Sequence, residues 1–585
     1  MKQLFILLLL VLVLAACAPL DVTNTAAPAL PASEPAVYTP AFAEMECPFV
    51  VPYSVNITCG MLTVPENRGR ADSRMIQIFV ETIHALTDAP LPDPIVVLPG
   101  GPGDDAGHTR ALFYQLPVRE NRDILLIDPR GTGFSQPNLD CIENGGIGFY
   151  YENAVGAAQD CFVRLQQEDV DFAGYTTAEQ VADVADLAAA LGLTQINLHG
   201  GSYGTRVAVQ VADRYPDLVR SMMLDGVMPA NVVAQLEEPM NVYNVFRRVF
   251  ADCAADAACN AANPDLMARM LTIVDRYNAE PFPEGVNFAE TGTELVAYIF
   301  GQIYSGTANV PAFVTAVYEE NFATACTVLG GLGACSLPEE SSATTAITET
   351  AALTESVTVS DTVSDTAAAG ADQPFNWRDY LTDPENPFGS DIERITLMMR
   401  KLDAATPADL FVKLDGLNED EFQELISNLE TPGAPDPASE GVYYSVWCSE
   451  EGPFYSAQEV QDVAARIPPQ FGGFPTERAT ELRAICDLWR VPPVSAADKV
   501  VKLSFVPTLI VNGTHDPITP LMWAKRTAAY LDQVYLELFP GFGHVILSTK
   551  NECMTGMMKA FYDDPSQEPD NSCLDSLTIH WMLPQ

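Results

Sequence analysis

The segment QINLHGGSYGTRVAVQVADRYP, residues 195–216, constrains the fold of this chain more than any other part of its sequence. Its opening QINLHG predicts a buried strand, Gly-Ser-Tyr-Gly predicts a sharp turn, and the remainder predicts a helix. Ser202 stands at the turn between Gly200 and Gly204. A serine on such a turn has a strained backbone. Larger side chains two positions before or after it would collide with the strand and the helix. This context indicates a serine nucleophile rather than a serine in an ordinary glycine-rich turn.

Strands and helices alternate on both sides of this segment. The runs RMIQIFVETI, PIVVLPGG and DILLIDPRG precede it, and SMMLDGV follows it. The same pattern resumes near residue 507 with PTLIVNG, a helix near PLMWAKRTAAYL, and VYLELFP. Alternating strands and helices predict an α/β fold with a mostly parallel sheet and helices on its faces.

One helix of this pattern is marked at both ends. The stretch TTAEQVADVADLAAALGL, residues 176–193, has apolar residues at near-helical spacing. We predict a capping box formed by Thr177 and Gln180 at its start and a stop at Gly192.

Residues 228–500 differ from the rest of the chain, because they are Ala-rich, acidic and helical in pattern, without clear strand alternation. We predict a helical cap here, inserted into an α/β core made of residues 44–227 and 501–585. Inside the cap, residues 336–374 are mostly Thr, Ser, Ala and Glu. Such a segment buries too little apolar surface to offset its ordering entropy, so we expect a disordered loop.

The N-terminus resembles a bacterial lipoprotein signal. Lys2 precedes an apolar run from Leu4 to Ala16 that is short for a membrane span, and the run ends in LAAC at Cys17. We predict a signal peptide over residues 1–16, lipidation of Cys17, and a flexible tether over residues 17–43. The alternative is an ordinary signal with an accidental cysteine. Either interpretation predicts export, and the first predicts an extracytoplasmic, membrane-anchored protein.

The cysteine count supports an exported protein. The chain has 13 cysteines, and removing Cys17 leaves an even number. We predict pairing between sequence neighbours: Cys47 with Cys59, Cys141 with Cys161, Cys253 with Cys259, Cys326 with Cys335, Cys448 with Cys486, and Cys553 with Cys573. There is no Cys-x-x-Cys pair and the six histidines are scattered, so we expect no metal and no other cofactor.

The charge of the chain excludes one class of partner. With 31 basic and 78 acidic residues, its formal net charge is −47. Such a charge repels nucleic-acid phosphates, so we expect no nucleic-acid partner.

A serine nucleophile needs a base to accept its proton, and His544 is the best candidate. It lies in PGFGHVI, a glycine-rich turn directly after the last predicted strand, where an imidazole can reach the carboxyl edge of the sheet. The weaker candidates are His199, which strand geometry directs away from Ser202; His84 and His108, which precede the serine; and His580, near the C-terminus.

The acid that orients this base is predicted to be Asp516. It follows the strand PTLIVNG and lies 28 residues before His544. The resulting order Ser, Asp, His is that of an α/β hydrolase. Asp225, at the end of the strand after the serine turn, is the alternative.

An oxyanion formed at the serine needs backbone donors placed in advance. The loop LPGGPGDDAG after the strand PIVV is rich in glycine, which lets its backbone approach a ligand. We expect the N–H groups of Gly101 and Tyr203 to hold the oxyanion. A phosphate-binding loop is disfavoured, because no Gly-Lys-Ser/Thr follows.

With these residues identified, the chain resembles the prolyl iminopeptidase family of serine peptidases, especially its secreted tripeptidyl-aminopeptidase-like (TAP-like) branch. The resemblance covers nearly all of residues 45–575 and is carried by PGGPG, DPRGTGFS, GGSYGT and the turns of Asp516 and His544. CGMLTVPENR and the region from Cys553 to Cys573 also look like that branch. One departure is Pro99, where the family commonly has His before Gly-Gly-Pro-Gly.

The resemblance implies cleavage of short peptides from a free amino terminus, with carboxylates of the cap binding the substrate ammonium group. In this sequence, Glu450 and Glu451 of VWCSEEGPF are the first candidates for that role, and Glu237 and Glu238 are the second.

The sequence therefore predicts an exported, membrane-anchored serine hydrolase that acts as an aminopeptidase on short peptides. A carboxylesterase with the same three residues is the first alternative. The second is a catalytically inactive lipoprotein that binds peptides. Epoxide hydrolase and dehalogenase chemistry are disfavoured, because they need an acid where Ser202 stands.

Overall fold

The strands of the chain join in one mixed sheet. A computed structural model describes residues 37–49, 51, 55–144, 154–328, 413–414, 438–501 and 503–583. The predicted signal peptide, Cys17, most of the predicted tether and the predicted loop at 336–374 lie outside these residues.

Within the described residues, the sheet has nine strands in the order β1-β2-β3-β5-β4-β6-β7-β8-β9. They are β1 (Ala41–Met45), β2 (Ile57–Pro65), β3 (Met75–Ile83), β4 (Ile95–Leu98), β5 (Ile124–Ile127), β6 (Ile196–Gly201), β7 (Val219–Asp225), β8 (Thr508–Gly513) and β9 (Val534–Phe539). Strands β1 to β3 are antiparallel, β3 is antiparallel to β5, and the remaining neighbours are parallel. The carboxyl ends of the parallel strands therefore share one edge, where the predicted site residues follow β4, β6, β8 and β9.

Helices cover both faces of this sheet and fill the long connection between β7 and β8. They are α1 (Arg110–Phe113), α2 (Ala154–Gln167), α3 (Thr177–Leu191), α4 (Tyr203–Arg214), α5 (Ala234–Ala255), α6 (Ala257–Ala262), α7 (Leu266–Ala279), α8 (Gly292–Ser305), α9 (Val310–Tyr318), α10 (Phe322–Val328), α11 (Glu440–Glu450), α12 (Ala457–Ala464), α13 (Pro469–Trp489), α14 (Leu521–Ala528) and α15 (Glu552–Asp563). Among the described residues between β7 and β8, the regular elements are all helical. The exact limits of the cap, 228 and 500, stay predictions.

Alternation along the strands explains how the sheet is covered. Leu198 of β6 packs with the apolar faces of α3 and α4, whereas Val97 of β4 and Met223 of β7 pack on the other face with α15. The helices between β7 and β8 have a separate apolar core that includes Phe246, Phe313 and Phe471. These contacts give the molecule a core under each face of the sheet and another inside the inserted helices.

The predicted helix at 176–193 forms, with its N-terminal cap shifted by one residue. Thr176 is extended, and its side chain accepts the N–H of Glu179, so the cap is not the predicted Thr177 and Gln180 pair. The buried Thr177 instead contacts residues of α4 and α11 through its hydroxyl. Gly192 ends the helix in the left-handed conformation, φ 68°, as predicted.

Five of the six predicted disulfides are present in the described residues: Cys47–Cys59, Cys141–Cys161, Cys253–Cys259, Cys448–Cys486 and Cys553–Cys573. Cys326 is also disulfide-bonded, and its predicted partner Cys335 lies outside the described residues. Several disulfides in one chain are typical of an oxidising, extracytoplasmic compartment. None of the helices in the described ranges is long and apolar enough to cross a membrane.

A buried ion pair fixes the loop after β5 to helix α3. The fully buried Arg130 donates to both carboxylate oxygens of Asp183, at 2.8 and 2.6 Å, and its Nη1 donates to two backbone carbonyls. Arg68 also pairs with Asp183, at 2.6 Å. A buried charge of this kind is tolerated because every partner is supplied within the protein.

We predict that Arg130→Ala lowers the free energy of unfolding by about 3–5 kcal/mol, because it removes one partner of a buried pair and leaves carbonyls without a donor. Urea unfolding followed by tryptophan fluorescence measures this change. Arg70→Ala is the matched control, since the Arg70 side chain is 49% exposed and pairs at the surface. An equal loss of stability in both variants would contradict the prediction.

Candidate active site

Ser202 lies at the junction of β6 and α4 in a backbone conformation that serine rarely adopts, φ 52° and ψ −121°. The Ser202 N–H donates to the Asp225 carbonyl at 2.8 Å, and the Ser202 carbonyl accepts from the Thr205 hydroxyl at 2.6 Å. A methyl group on Gly204 would overlap the Leu98 carbonyl, and one on Gly200 would lie 2.7 Å from the Gly204 oxygen. Glycine is therefore required at both positions, as the sequence pattern predicts.

His544 and Asp516 meet beside this turn. The Nδ1 atom of His544 lies 2.8 Å from Asp516 Oδ2, and both residues are buried. Asp516 is itself held by Thr519, whose N–H donates to Oδ1 at 2.8 Å and whose hydroxyl donates to Oδ2 at 2.6 Å. The carboxylate is thus fixed from two sides and presents one oxygen to the imidazole.

A cavity of about 550 Å³ brings these groups together. Ser202 and His544 line it, as do Gly100 and Gly101 of the loop after β4. Helices of the inserted segment close it with Phe300, Tyr304, Trp447 and Arg478. Tyr203 begins α4, so its amide belongs to the first turn, whose N–H groups have no intrahelical acceptor.

Tyr304, which carries no sequence motif, contacts the predicted base directly. Its carbonyl accepts the N–H of His544 at 2.9 Å, and the two rings lie 5.0 Å apart. A methyl group on Gly543 would overlap the same carbonyl. The C-terminal end of α8 therefore rests on the histidine turn, a long-range contact that no local pattern could reveal.

Asp225, the alternative acid, has a different environment. Its two carboxylate oxygens accept the N–H groups of Ile546 and Leu547, each at 2.9 Å. Burial raises the pKa of Asp225 to about 6. Asp225 therefore holds the turn that follows His544, while Asp516 contacts the imidazole.

Glu450 and Glu451, which we predicted to bind a substrate ammonium, have partners within the protein. Both are buried, and neither lies among the residues that line the cavity. Glu450 accepts the N–H and the hydroxyl of Thr177, each at 2.8 Å, whereas Glu451 pairs with Arg206 at 2.8 Å and with Lys499 at 2.6 Å. The two carboxylates are satisfied by the protein's own donors at the junction between α4 and α11.

The second pair of glutamates is also bound within the protein. Glu237 accepts from Trp523 Nε1 at 2.6 Å and from Arg526 at 2.8 Å, and Glu238 pairs with Arg478 at 2.7 Å. Adjacent glutamates in a sequence do not indicate whether their partner is solvent, a ligand or a distant cation.

The other histidines have varied surroundings. His199 lines the cavity with its ring 6.0 Å from that of Phe113, and burial lowers its pKa to about 4. His515 directly precedes Asp516 and was not among the candidate bases. Its ring nitrogens form hydrogen bonds with Thr307 and Asp252 of the inserted segment. His84 lies near Asp123, and His580 is exposed. The structure does not describe the side chain of His108. The part of the chain that the structure describes contains no group of three or more His, Cys, Asp or Glu suited to a metal ion.

Two models of known families match parts of the chain. A family model described as the α/β hydrolase fold matches residues 93–267, and one described as TAP-like protein matches residues 473–573. The chain is therefore an α/β-hydrolase-fold protein, which confirms the predicted fold class. Residues 473–573 are similar to TAP-like proteins.

Similar proteins include peptidases and an esterase. Serine protease Hip1 of Mycobacterium tuberculosis is 30% identical over 222 residues, which cover 34% of this chain and 42% of that protein. The chain thus spans less than half the length of this relative. Carboxylesterase B of Mycobacterium tuberculosis is 24% identical over 509 residues, 81% of this chain and 78% of that protein.

Proline iminopeptidase of Xylella fastidiosa is 27% identical over 134 residues, 23% of this chain and 32% of that protein. Among solved structures, proline iminopeptidase of Mycobacterium smegmatis overlaps 86% of this chain and 98% of its own, with 13% identity and a TM-score of 0.35.

We predict that His199 contributes a measurable part of the acid sensitivity of this fold. Its pKa is about 4 when folded and 6.5 in the absence of burial, so between these pH values the unfolded chain binds the extra proton. Stability therefore falls as the pH decreases from about 6.5 to 4, by on the order of 3 kcal/mol for this group. His199→Phe keeps an aromatic ring against Phe113 and should remove that part of the slope.

The measurement is the free energy of unfolding by urea at pH 7.5 and pH 5.0. His580→Phe, at an exposed position, is the control. An unchanged difference between the two pH values in His199→Phe would refute the assignment.

Proposed function

We propose that this protein is a serine hydrolase in which Ser202, His544 and Asp516 form the catalytic triad. The observation that carries the proposal is the His544–Asp516 contact of 2.8 Å on the wall of the cavity that also contains Ser202. A buried carboxylate that holds one imidazole nitrogen leaves the other nitrogen to act as the base. Ser202, in its strained conformation, lines the same cavity.

The reaction proceeds through an acyl-enzyme. Ser202 Oγ attacks the substrate carbonyl while His544 Nε2 takes its proton, and the Asp516 carboxylate stabilises the imidazolium that forms. The N–H groups of Gly101 and Tyr203 hold the oxyanion of the tetrahedral intermediate. His544 then gives the proton to the leaving group, and a water molecule activated in the same way releases the acyl group from Ser202.

The substrates we propose are short peptides with a free amino terminus, cleaved by an aminopeptidase activity. The similarity to a serine protease and to a proline iminopeptidase, together with the TAP-like C-terminal part, supports this class. A cavity partly closed by the helices of the inserted segment also suits short substrates rather than folded proteins. Carboxylesterase activity is the second candidate, because the similarity to a carboxylesterase extends over 81% of this chain.

The proposed location is the outside of the cell membrane, with the chain exported by its first 16 residues and anchored through lipid on Cys17. The LAAC sequence and the oxidising compartment indicated by five described disulfides support export. Mass spectrometry of the N-terminal fragment tests the lipid, since Cys17→Ala should abolish the modification.

We predict that a fluorophosphonate probe labels the full-length protein and that Ser202→Ala abolishes the labelling, because the probe reacts with an activated serine. The same preparation should release a fluorescent amine from peptide amides with free amino termini and not from their acetylated counterparts. Hydrolysis of esters, with no cleavage of any peptide amide, would favour the carboxylesterase. A folded protein that is not labelled would favour the binding lipoprotein.

Separate substitution of each of the two buried aspartates tests which of them is the triad acid. Asp516→Asn should lower kcat by on the order of 10⁴-fold, because the amide no longer fixes the imidazole tautomer. Asp225→Asn should lower kcat by at most about tenfold, since one oxygen remains to accept a backbone N–H near His544. The kcat of both variants on one substrate gives the result, and the reverse order would assign the role to Asp225.

A further inference from the structure

One side of the cavity continues the apolar core that lies between the sheet and α15. Val97 of β4, Phe113 of α1 and Leu547 belong to that core, and all three line the cavity. We call these residues, together with His199 of β6, the sheet wall. A ligand group that reaches the sheet wall leaves water for a mainly apolar surface, so any polar atom that it carries needs a hydrogen-bond partner there.

His199 is the polar member of the sheet wall. It is 3% exposed, it lines the cavity, and its ring lies 6.0 Å from that of Phe113. The Nδ1 atom of His199 is enclosed and has no hydrogen-bond partner among the described residues. Buried polar side chains nearly always have a partner. The partner of this ring must therefore come from outside the described residues, and the cavity is where a ligand can meet it.

Two hydroxyl groups that also line the cavity are bonded within the protein. Thr109 Oγ1 donates to the Ala106 carbonyl at 3.0 Å, and Ser548 Oγ donates to the Val545 carbonyl at 2.7 Å. The protons of both hydroxyls are thus already used. The His199 ring differs from them, because its Nδ1 atom is bonded to none of the described residues.

The imidazole of His199 is neutral near pH 7, because burial lowers its pKa to about 4. A neutral imidazole has one donor nitrogen and one acceptor nitrogen. A charged ligand group would lack a compensating charge on this apolar surface, and an uncompensated buried charge is costly. The sheet wall therefore suits a neutral group that ends in a hydrogen-bonding atom.

We propose that the sheet wall binds the side chain of a tyrosine residue next to the scissile bond, with the phenol hydroxyl bonded to the His199 imidazole. This inference rests on the proposed peptidase function and adds a substrate preference to it. His199 lies three residues before Ser202, and three residues of a strand span about 10 Å, which places the sheet wall within reach of a long side chain.

Tyrosine matches the sheet wall in shape and in polarity. Its ring is an apolar body that packs against Val97, Phe113 and Leu547, and its one polar atom lies at the far end. A phenol both donates and accepts, so it complements either tautomer of the His199 ring. Phenylalanine has the same body without the hydroxyl, and its binding leaves the imidazole desolvated and unpaired. The site should therefore select tyrosine over phenylalanine.

The test measures kcat/KM for pairs of substrates that differ by this hydroxyl, with the full-length protein in detergent solution. The tyrosyl and phenylalanyl amides of one fluorescent amine place the side chain on the acyl side of the scissile bond. The dipeptides Ala-Tyr and Ala-Phe place it on the leaving side. We expect tyrosine to be favoured about tenfold in one of the two pairs, the discrimination that one neutral hydrogen bond supplies.

Three variants assign this preference to His199. His199→Phe should lower kcat/KM for the tyrosine substrate about tenfold and change that for the phenylalanine substrate by less than about twofold. His199→Gln keeps a neutral donor and acceptor and should retain part of the preference. His580→Phe makes the first replacement at an exposed position and should keep all of it.

Three results would overturn the proposal. They are equal kcat/KM values within both pairs for the unsubstituted protein, an unchanged preference in His199→Phe, and an equal loss on the tyrosine and phenylalanine substrates in His199→Phe. The last result would mean that the imidazole only supports the wall. Urea unfolding of each variant confirms that the compared proteins are folded.

A binding measurement separates this inference from the proposed function. Ser202→Ala prevents turnover, and isothermal titration of this variant with tyrosinamide and phenylalaninamide should show about tenfold tighter binding of tyrosinamide. If the unsubstituted protein is neither labelled by a fluorophosphonate nor active on any peptide amide, the proposed function fails, and equal affinities in the titration then overturn the tyrosine site as well. If the protein is labelled and active without a tyrosine preference in either pair, only the tyrosine site fails.

Discussion

The close approach of α4 to the end of β4 determines the geometry around Ser202. Only glycine at position 204 lets the first turn of α4 lie against the Leu98 carbonyl. The same strand end leads into the loop of Gly100 and Gly101, so the position of the serine and that of the facing loop depend on one contact. The positive φ of Ser202 costs on the order of 1–3 kcal/mol. Hydrogen bonds from Ser202 to Asp225 and from Thr205 to Ser202 help to offset this cost.

The histidine turn depends on three separate parts of the chain. Asp225 at the end of β7 binds the backbone that follows His544, Thr519 fixes the carboxylate of Asp516, and Tyr304 of α8 accepts the His544 N–H. The core and the inserted helices therefore both orient the imidazole. Any movement of α8 relative to the sheet would change the position of the base, which couples closure of the cavity to the chemistry proposed there.

Much of the fold and of the candidate site could be predicted because the signals were local. The strand–turn–helix around Ser202, the position of His544 after a strand and the pairing of neighbouring cysteines each depend on short stretches of sequence. The partners of Glu450 and Glu451 could not be found in this way. Arg206 and Lys499 are distant from both glutamates in the sequence and come into contact with Glu451 only in the folded protein. The contact of Tyr304 with His544 could not be predicted for the same reason.

The proposed reaction forms a negatively charged oxyanion inside a protein with 78 acidic and 31 basic residues. An uncompensated carboxylate near the serine would oppose that charge, so the buried acids around the site need compensation. Arg206 and Lys499 neutralise Glu451, Arg478 pairs with Glu238, and two backbone N–H groups bind the carboxylate of Asp225. Acids whose charge is met by donors of the protein oppose an oxyanion less, which makes the proposed chemistry compatible with the acidic composition of the chain.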